Sequence, residues 1–122
     1  MSWIDDSVAE FGRGLDIDHL ALNDRGLVSL VFERSGTLFL EQVNGYLLIY
    51  LTREIAAKDD SLVLRALSLC HYRNGHPYDL SAAMKGEDRL TFLARIPERE
   101  VSPPVLEAAF ALLVQLQDRA AA

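Results

Sequence analysis

A nucleophilic thiol and a potential base stand side by side at one point of this sequence, Cys70-His71. The pair fails on geometry. Both residues fall in a predicted helix, where neighbours project about 100° apart, so no thiol–imidazole hydrogen bond can close within it. Cys70 reads as a small core residue. His71 and His76 are five positions apart across a helix end, whereas a helical zinc pair needs a spacing of four, and no Glu lies between them. His19, the third histidine, has no catalytic or metal-binding companion. Asp16-x-Asp18 and Asp59-Asp60 offer carboxylates, but one falls in a connection and the other at a helix start, where capping accounts for it. Gly12-Arg13-Gly14 has no third glycine at dinucleotide-fingerprint spacing and precedes a strand region, so it reads as a helix terminator. Ser35-Gly36-Thr37 lacks the flanking glycines of a nucleophile elbow and reads as a turn. No catalytic residue, metal site or cofactor is expected.

The chain that must position these side chains has 122 residues, room for one domain spanning residues 1–122. Half the residues are hydrophobic and a quarter charged, a composition that folds. Eighteen acidic and 12 basic side chains give a formal charge of −6. With Lys and Arg scattered singly, that balance argues against binding nucleic acid or anionic lipid. A single cysteine excludes an intramolecular disulfide and suits a reducing compartment. The opening Met1-Ser2-Trp3-Ile4-Asp5-Asp6 carries acids where a secretory signal or mitochondrial presequence needs bases. No apolar run approaches the ~20 residues that span a bilayer, so a cytoplasmic protein is expected.

Trp3, Ile4, Val8, Phe11 and Leu15 recur at helical spacing, predicting an amphipathic helix capped by Ser2 and ended by Gly12 and Gly14. Apolar runs at Leu27–Phe32, Leu38–Leu40 and Tyr46–Leu51, separated by Arg34-Ser35-Gly36 and Asn44-Gly45, predict a three-stranded antiparallel meander, with Leu20–Leu22 as a short lead-in. Asp59, Asp60 and Ser61 offer caps for a second helix over Leu62–Tyr72, in which Leu64, Ala66, Leu67 and Cys70 can share a buried stripe and which Asn74-Gly75 stops. Strands at Asp79–Lys85 and Arg89–Ile96 follow, the second ended by Pro97. Ser102-Pro103 then opens a last helix carrying Val105, Leu106, Ala109, Phe110, Leu113 and Leu116. The expected fold is α+β, an antiparallel sheet with three helices in the order α-β-β-β-α-β-β-α.

Tyr46-Leu47-Leu48-Ile49-Tyr50-Leu51 is apolar on both sets of alternate positions, so both faces of that strand want burial. Leu27–Phe32 is nearly the same, and the second helix has a wide apolar arc. Either helices cover both sheet faces, or some apolar surface is left for a subunit interface or a groove for another polypeptide.

Element order, size, acidity and surplus apolar surface together resemble the class I chaperones of type III secretion. The opening Met1–Ile4, the stretch Ser35–Gln42, Lys58–Leu69 with its Arg65-Ala66-Leu67 centre, and Ala109-Phe110 with Leu113 are similar to the SycN-type members of that family. The resemblance spans nearly the whole chain. It implies a non-enzymatic chaperone that forms a heterodimer with a YscB-type small chaperone around the N-terminal segment of a YopN-like secreted gatekeeper. It also allows peripheral association with the inner-membrane secretion apparatus. In that family the second helix and fourth strand build the dimer interface, which makes Leu64, Leu67, Ala82 and Met84 the interface candidates here. The first helix and the meander offer apolar grooves to cargo, which makes Trp3, Phe11, Phe39, Leu48 and Tyr50 the cargo candidates. A homodimeric chaperone for another effector, and a small ligand-binding regulatory domain, are the alternatives.

Overall fold

The computed structural model describes residues 3–55, 60–71, 78–86 and 88–121. The chain runs through α1 (Trp3–Gly14), β1 (Leu27–Phe32), β2 (Gly36–Val43), β3 (Tyr46–Glu54), α2 (Asp60–Leu69), β4 (Asp79–Lys85), β5 (Arg89–Pro97), a 3-10 turn at Glu98–Glu100 and α3 (Pro103–Ala121). This is the order expected from the sequence. Every strand pairing is antiparallel, and the strands lie in the order β1-β2-β3-β5-β4.

Local chemistry sets the boundaries. Asn44 and Gly45 both take positive φ, 43° and 87°, the type I′ geometry that turns β2 directly into β3. The Ser102 hydroxyl accepts a hydrogen bond from the Val105 amide at 3.3 Å and so caps α3, with Pro103 in its first turn. Leu20–Leu22 does not add a strand; Leu20 instead folds back into the core. The last described helical residue of α2 is Leu69, three positions short of the expected end. The proposed stop at Asn74-Gly75 and the caps at Ser2 and Asp59 lie outside the described residues.

Strand periodicity divides the sheet into two unlike faces. One carries Leu38, Leu40, Leu47, Ile49, Leu51, Leu90, Phe92, Ala94 and Ile96, all buried. Against it pack Ile4, Val8 and Phe11 of α1 and Leu106, Ala109, Leu113, Leu116 and Ala120 of α3. Phe11 meets Phe110 edge-to-face, ring centroids 6.1 Å apart, which ties α1 to α3. The side-chain amide of Gln117, buried in the same layer, donates to the carbonyls of Leu51 (2.9 Å) and Leu90 (2.8 Å). One residue thus fastens α3 to both β3 and β5.

The third helix joins the same layer. α2 packs on α3 and β4 through Leu62 and Ala66, and the Arg65 guanidinium donates twice to the Ala120 carbonyl, at 3.1 and 2.9 Å. The stripe expected at Leu64, Ala66, Leu67 and Cys70 is therefore rotated: Leu62, Ala66 and Leu69, at i, i+4 and i+7, take the inward face, with Cys70 beside them. Leu64 and Leu67 point outward, 67% and 53% exposed.

Candidate protein-binding surfaces

With the helices gathered on one side, no described helix covers the other face of the sheet. Register shows what that face presents. Phe39 of β2 pairs with Tyr50 of β3, which pairs with Leu93 of β5, which pairs with Ser81 of β4. One step along, Glu41, Leu48 and Arg95 line up in the same way. Because cross-strand partners share a face, these side chains form a half-buried apolar tract with polar members at its margins.

Two contacts order the tract. Phe39 and Tyr50 stack, centroids 4.8 Å apart and planes 12° from parallel. The Lys85 ammonium lies 5.1 and 5.3 Å from those same two centroids. The Tyr50 hydroxyl donates to Glu41 Oε1 at 3.1 Å. Burial, and then the Glu41 carboxylate that receives this hydrogen bond, push the Tyr50 phenol up to about 12. Beside the ring a shallow depression of ≈ 290 Å³ is floored by Leu48, Tyr50, Ala83 and Leu93. Thr52 and Thr91 satisfy each other at 2.7 Å at the buried end of this face.

Of the residues singled out from the sequence, Phe39, Leu48 and Tyr50 come together on this face. Trp3 stands apart at the start of α1, 53% exposed, its indole N–H donating to the Glu98 carbonyl at 3.1 Å. Phe11 has to be withdrawn from the cargo set. It is 1% exposed and fills the α1–α3 junction, so it presents no surface to an occupant. Leu64 and Leu67 form an exposed apolar pair on α2. Ala82 and Met84 lie half-buried on the helix side of β4, the strand against which α2 packs, so the four share one edge of the molecule. Sequence reasoning missed Leu93, Ala83 and Lys85. The alternation of β5 around Phe92 and Ala94 carries the signal for Leu93, but the faces could not be assigned without the register.

Burial pushes the Cys70 thiol up, away from the reactive thiolate. Among the described residues no group of three or more His, Cys, Asp or Glu side chains could hold a metal ion. No described helix is long and apolar enough to cross a membrane.

The model of the type III secretory system chaperone SycN family matches residues 3–121. The chain belongs to this family. It is 30% identical over 118 residues to the chaperone protein SycN of Yersinia enterocolitica, covering 96% of this chain and 95% of that one. Two solved structures share the fold. A chain of the HopA1–SchA chaperone–effector complex superposes with a TM-score of 0.72 at 21% identity, covering 96% of this chain and 92% of that one. A chain of the ExsC–ExsE complex gives 0.69 at 22%, covering 97% and 88%. The resemblance read from the sequence is thus met: this is a type III secretion chaperone related to SycN.

Proposed function

We propose that this SycN-family chaperone holds a segment of a secreted protein against the open face of its sheet and pairs with a second small chaperone along the edge formed by α2 and β4. The observation that carries the reading is the apolar tract of Phe39, Leu48, Tyr50 and Leu93 on a face no described helix covers. An extended segment can add to the exposed sheet edge at β1 while its alternate side chains settle on that face, a mode in which backbone hydrogen bonds hold and pockets select. Ordering a disordered segment costs entropy, so a wide wrapped area is needed to offset it. Nucleotide hydrolysis has no part in such a mechanism, and the role is non-enzymatic.

The relatives support the finer assignment. SchA is seen in a chaperone–effector complex. Kinship with SycN favours a YscB-type chaperone as the second subunit, a YopN-like gatekeeper as the cargo and the bacterial cytoplasm as the place of work. The exposed Leu64 and Leu67 fit the partner contact.

The test is a pull-down with a tagged copy from source cells grown under secretion-inducing conditions, with bound proteins identified by mass. One small chaperone recovered together with one larger secreted protein is the expected result. Recovery of a symmetric dimer alone would replace the heterodimer with a homodimeric chaperone, and recovery of a small molecule alone would overturn both.

A further inference from the structure

The open face is not electrically uniform. At the end where β1 turns into β2, a depression of ≈ 570 Å³ is lined by Val31, Phe39, three basic residues, Arg34, Lys85 and Arg89, and two acidic ones, Glu33 and Glu54, together with Arg53, whose side chain belongs to the helix-covered face. In a chain of 18 acids and 12 bases this inverts the average sign. Arg53 is already engaged, by Asp118 at 2.8 Å and by the Ser35 carbonyl at 3.1 Å. Among the described residues Arg34, Lys85 and Arg89 are in no ion pair. Toward the other end of the face Arg95 is paired with Asp79 at 2.6 Å, and Glu41 accepts from the Tyr50 hydroxyl while keeping its negative charge. At this end the unpaired cations Arg34, Lys85 and Arg89 outnumber Glu33 and Glu54 by one, and they adjoin the apolar tract and the 81% exposed Val31 of the edge strand.

We propose that the polypeptide bound on this face is an acidic-aliphatic segment, with Asp or Glu side chains meeting Lys85, Arg89 and Arg34 while its branched apolar side chains meet Phe39, Tyr50 and Val31. This rests on the reading that the open face takes cargo and adds the chemical class of that cargo. Lys85 is the pivot, because its ammonium already lies over the two stacked rings and can take a carboxylate without leaving them. The rest of the acidic chain repels such a segment, so the local basic end also fixes the direction in which it lies.

A random twelve-residue peptide library selected on the purified full-length chain, and in parallel on a Lys85→Glu/Arg89→Glu double variant, tests this. Both side chains are exposed, and an unchanged melting temperature verifies that the variant folds. The expected result is enrichment of peptides combining Asp or Glu with Val, Ile or Leu on the wild-type chain, and loss of the acidic bias on the variant. Replacing the carboxylates of the most enriched peptide by amides should weaken wild-type binding about fivefold, and should not weaken variant binding, where it relieves repulsion from the two introduced carboxylates. The same charge distribution on both proteins would overturn the acidic class while leaving the open face as a peptide site. No enrichment on either would remove the peptide site itself. Tighter binding of a labelled thymidine oligonucleotide than of the enriched peptide would show that the basic end serves a nucleic acid, and would overturn the proposal.

Discussion

Tyr50 gives the open face a spectroscopic handle. Its phenol is held at about 12 by burial first and by Glu41 second, so the folded state keeps its proton where an unfolded tyrosine, near 10, has lost it. The associated stability is fully present below pH 10 and is lost as pH rises from there through 12. A tyrosinate absorbance titration should show this phenol titrating well above an ordinary tyrosine, and Glu41→Gln should bring it down without restoring 10, since burial remains. Gly36 makes a second prediction. It has φ 108°, and a Cβ there would meet the Thr52 carbonyl oxygen at 2.3 Å. Gly36→Ala should cost about 2–3 kcal/mol in urea unfolding. Phe39, Leu48 and Tyr50 were singled out by the resemblance, which assigned the meander to cargo; periodicity could not choose them, because Tyr46–Leu51 is apolar on both sets of alternate positions. Phe11 was misread because helical spacing identifies an apolar stripe but not whether its cover is the protein's own core or a partner.

At the scale of elements, α2 and α3 make opposite predictions. Leu64 and Leu67 stand out from the α2 surface, so Leu67→Asp should shift the stability of the isolated chain by no more than about 0.5 kcal/mol. The same change should raise the dissociation constant for the paired chaperone by roughly a hundredfold or more, because an unpaired carboxylate would be desolvated there. Native mass spectrometry checks it, and an unchanged dimer mass would exclude α2 from the interface. Gln117 behaves the other way. Gln117→Leu leaves the Leu51 and Leu90 carbonyls without their buried donor and should cost about 1–3 kcal/mol, measured by denaturant unfolding of the isolated chain. Element order was readable because the turn chemistry at Asn44-Gly45 and Ser102-Pro103 is specific. Which side of α2 faces inward was not, since Leu62, Leu64, Ala66, Leu67 and Leu69 wrap most of its circumference and only packing on α3 and β4 chooses among them.

Considered whole, the molecule uses one face of its sheet to fold and leaves the other apolar in part. Leu48→Asp should therefore leave the melting temperature within a few degrees of the parent while abolishing recovery of the secreted protein in the pull-down, since the half-buried Leu48 lies outside the helix-covered core. That no described helix would cover one face could not be read from the sequence, because strands apolar on both sides are equally compatible with helices on both sides. The strand order has a separate bearing on how the protein is made. The central strand β3 is flanked by β2, which precedes it immediately, and by β5, which leaves a ribosome only after α2 and β4 have been synthesised. The nascent meander must wait with one margin of β3 unpaired, and α3, which seals the core, is translated after every strand. A chaperone of this design thus carries, during its own synthesis, the kind of unpaired strand edge that invites wrong pairing.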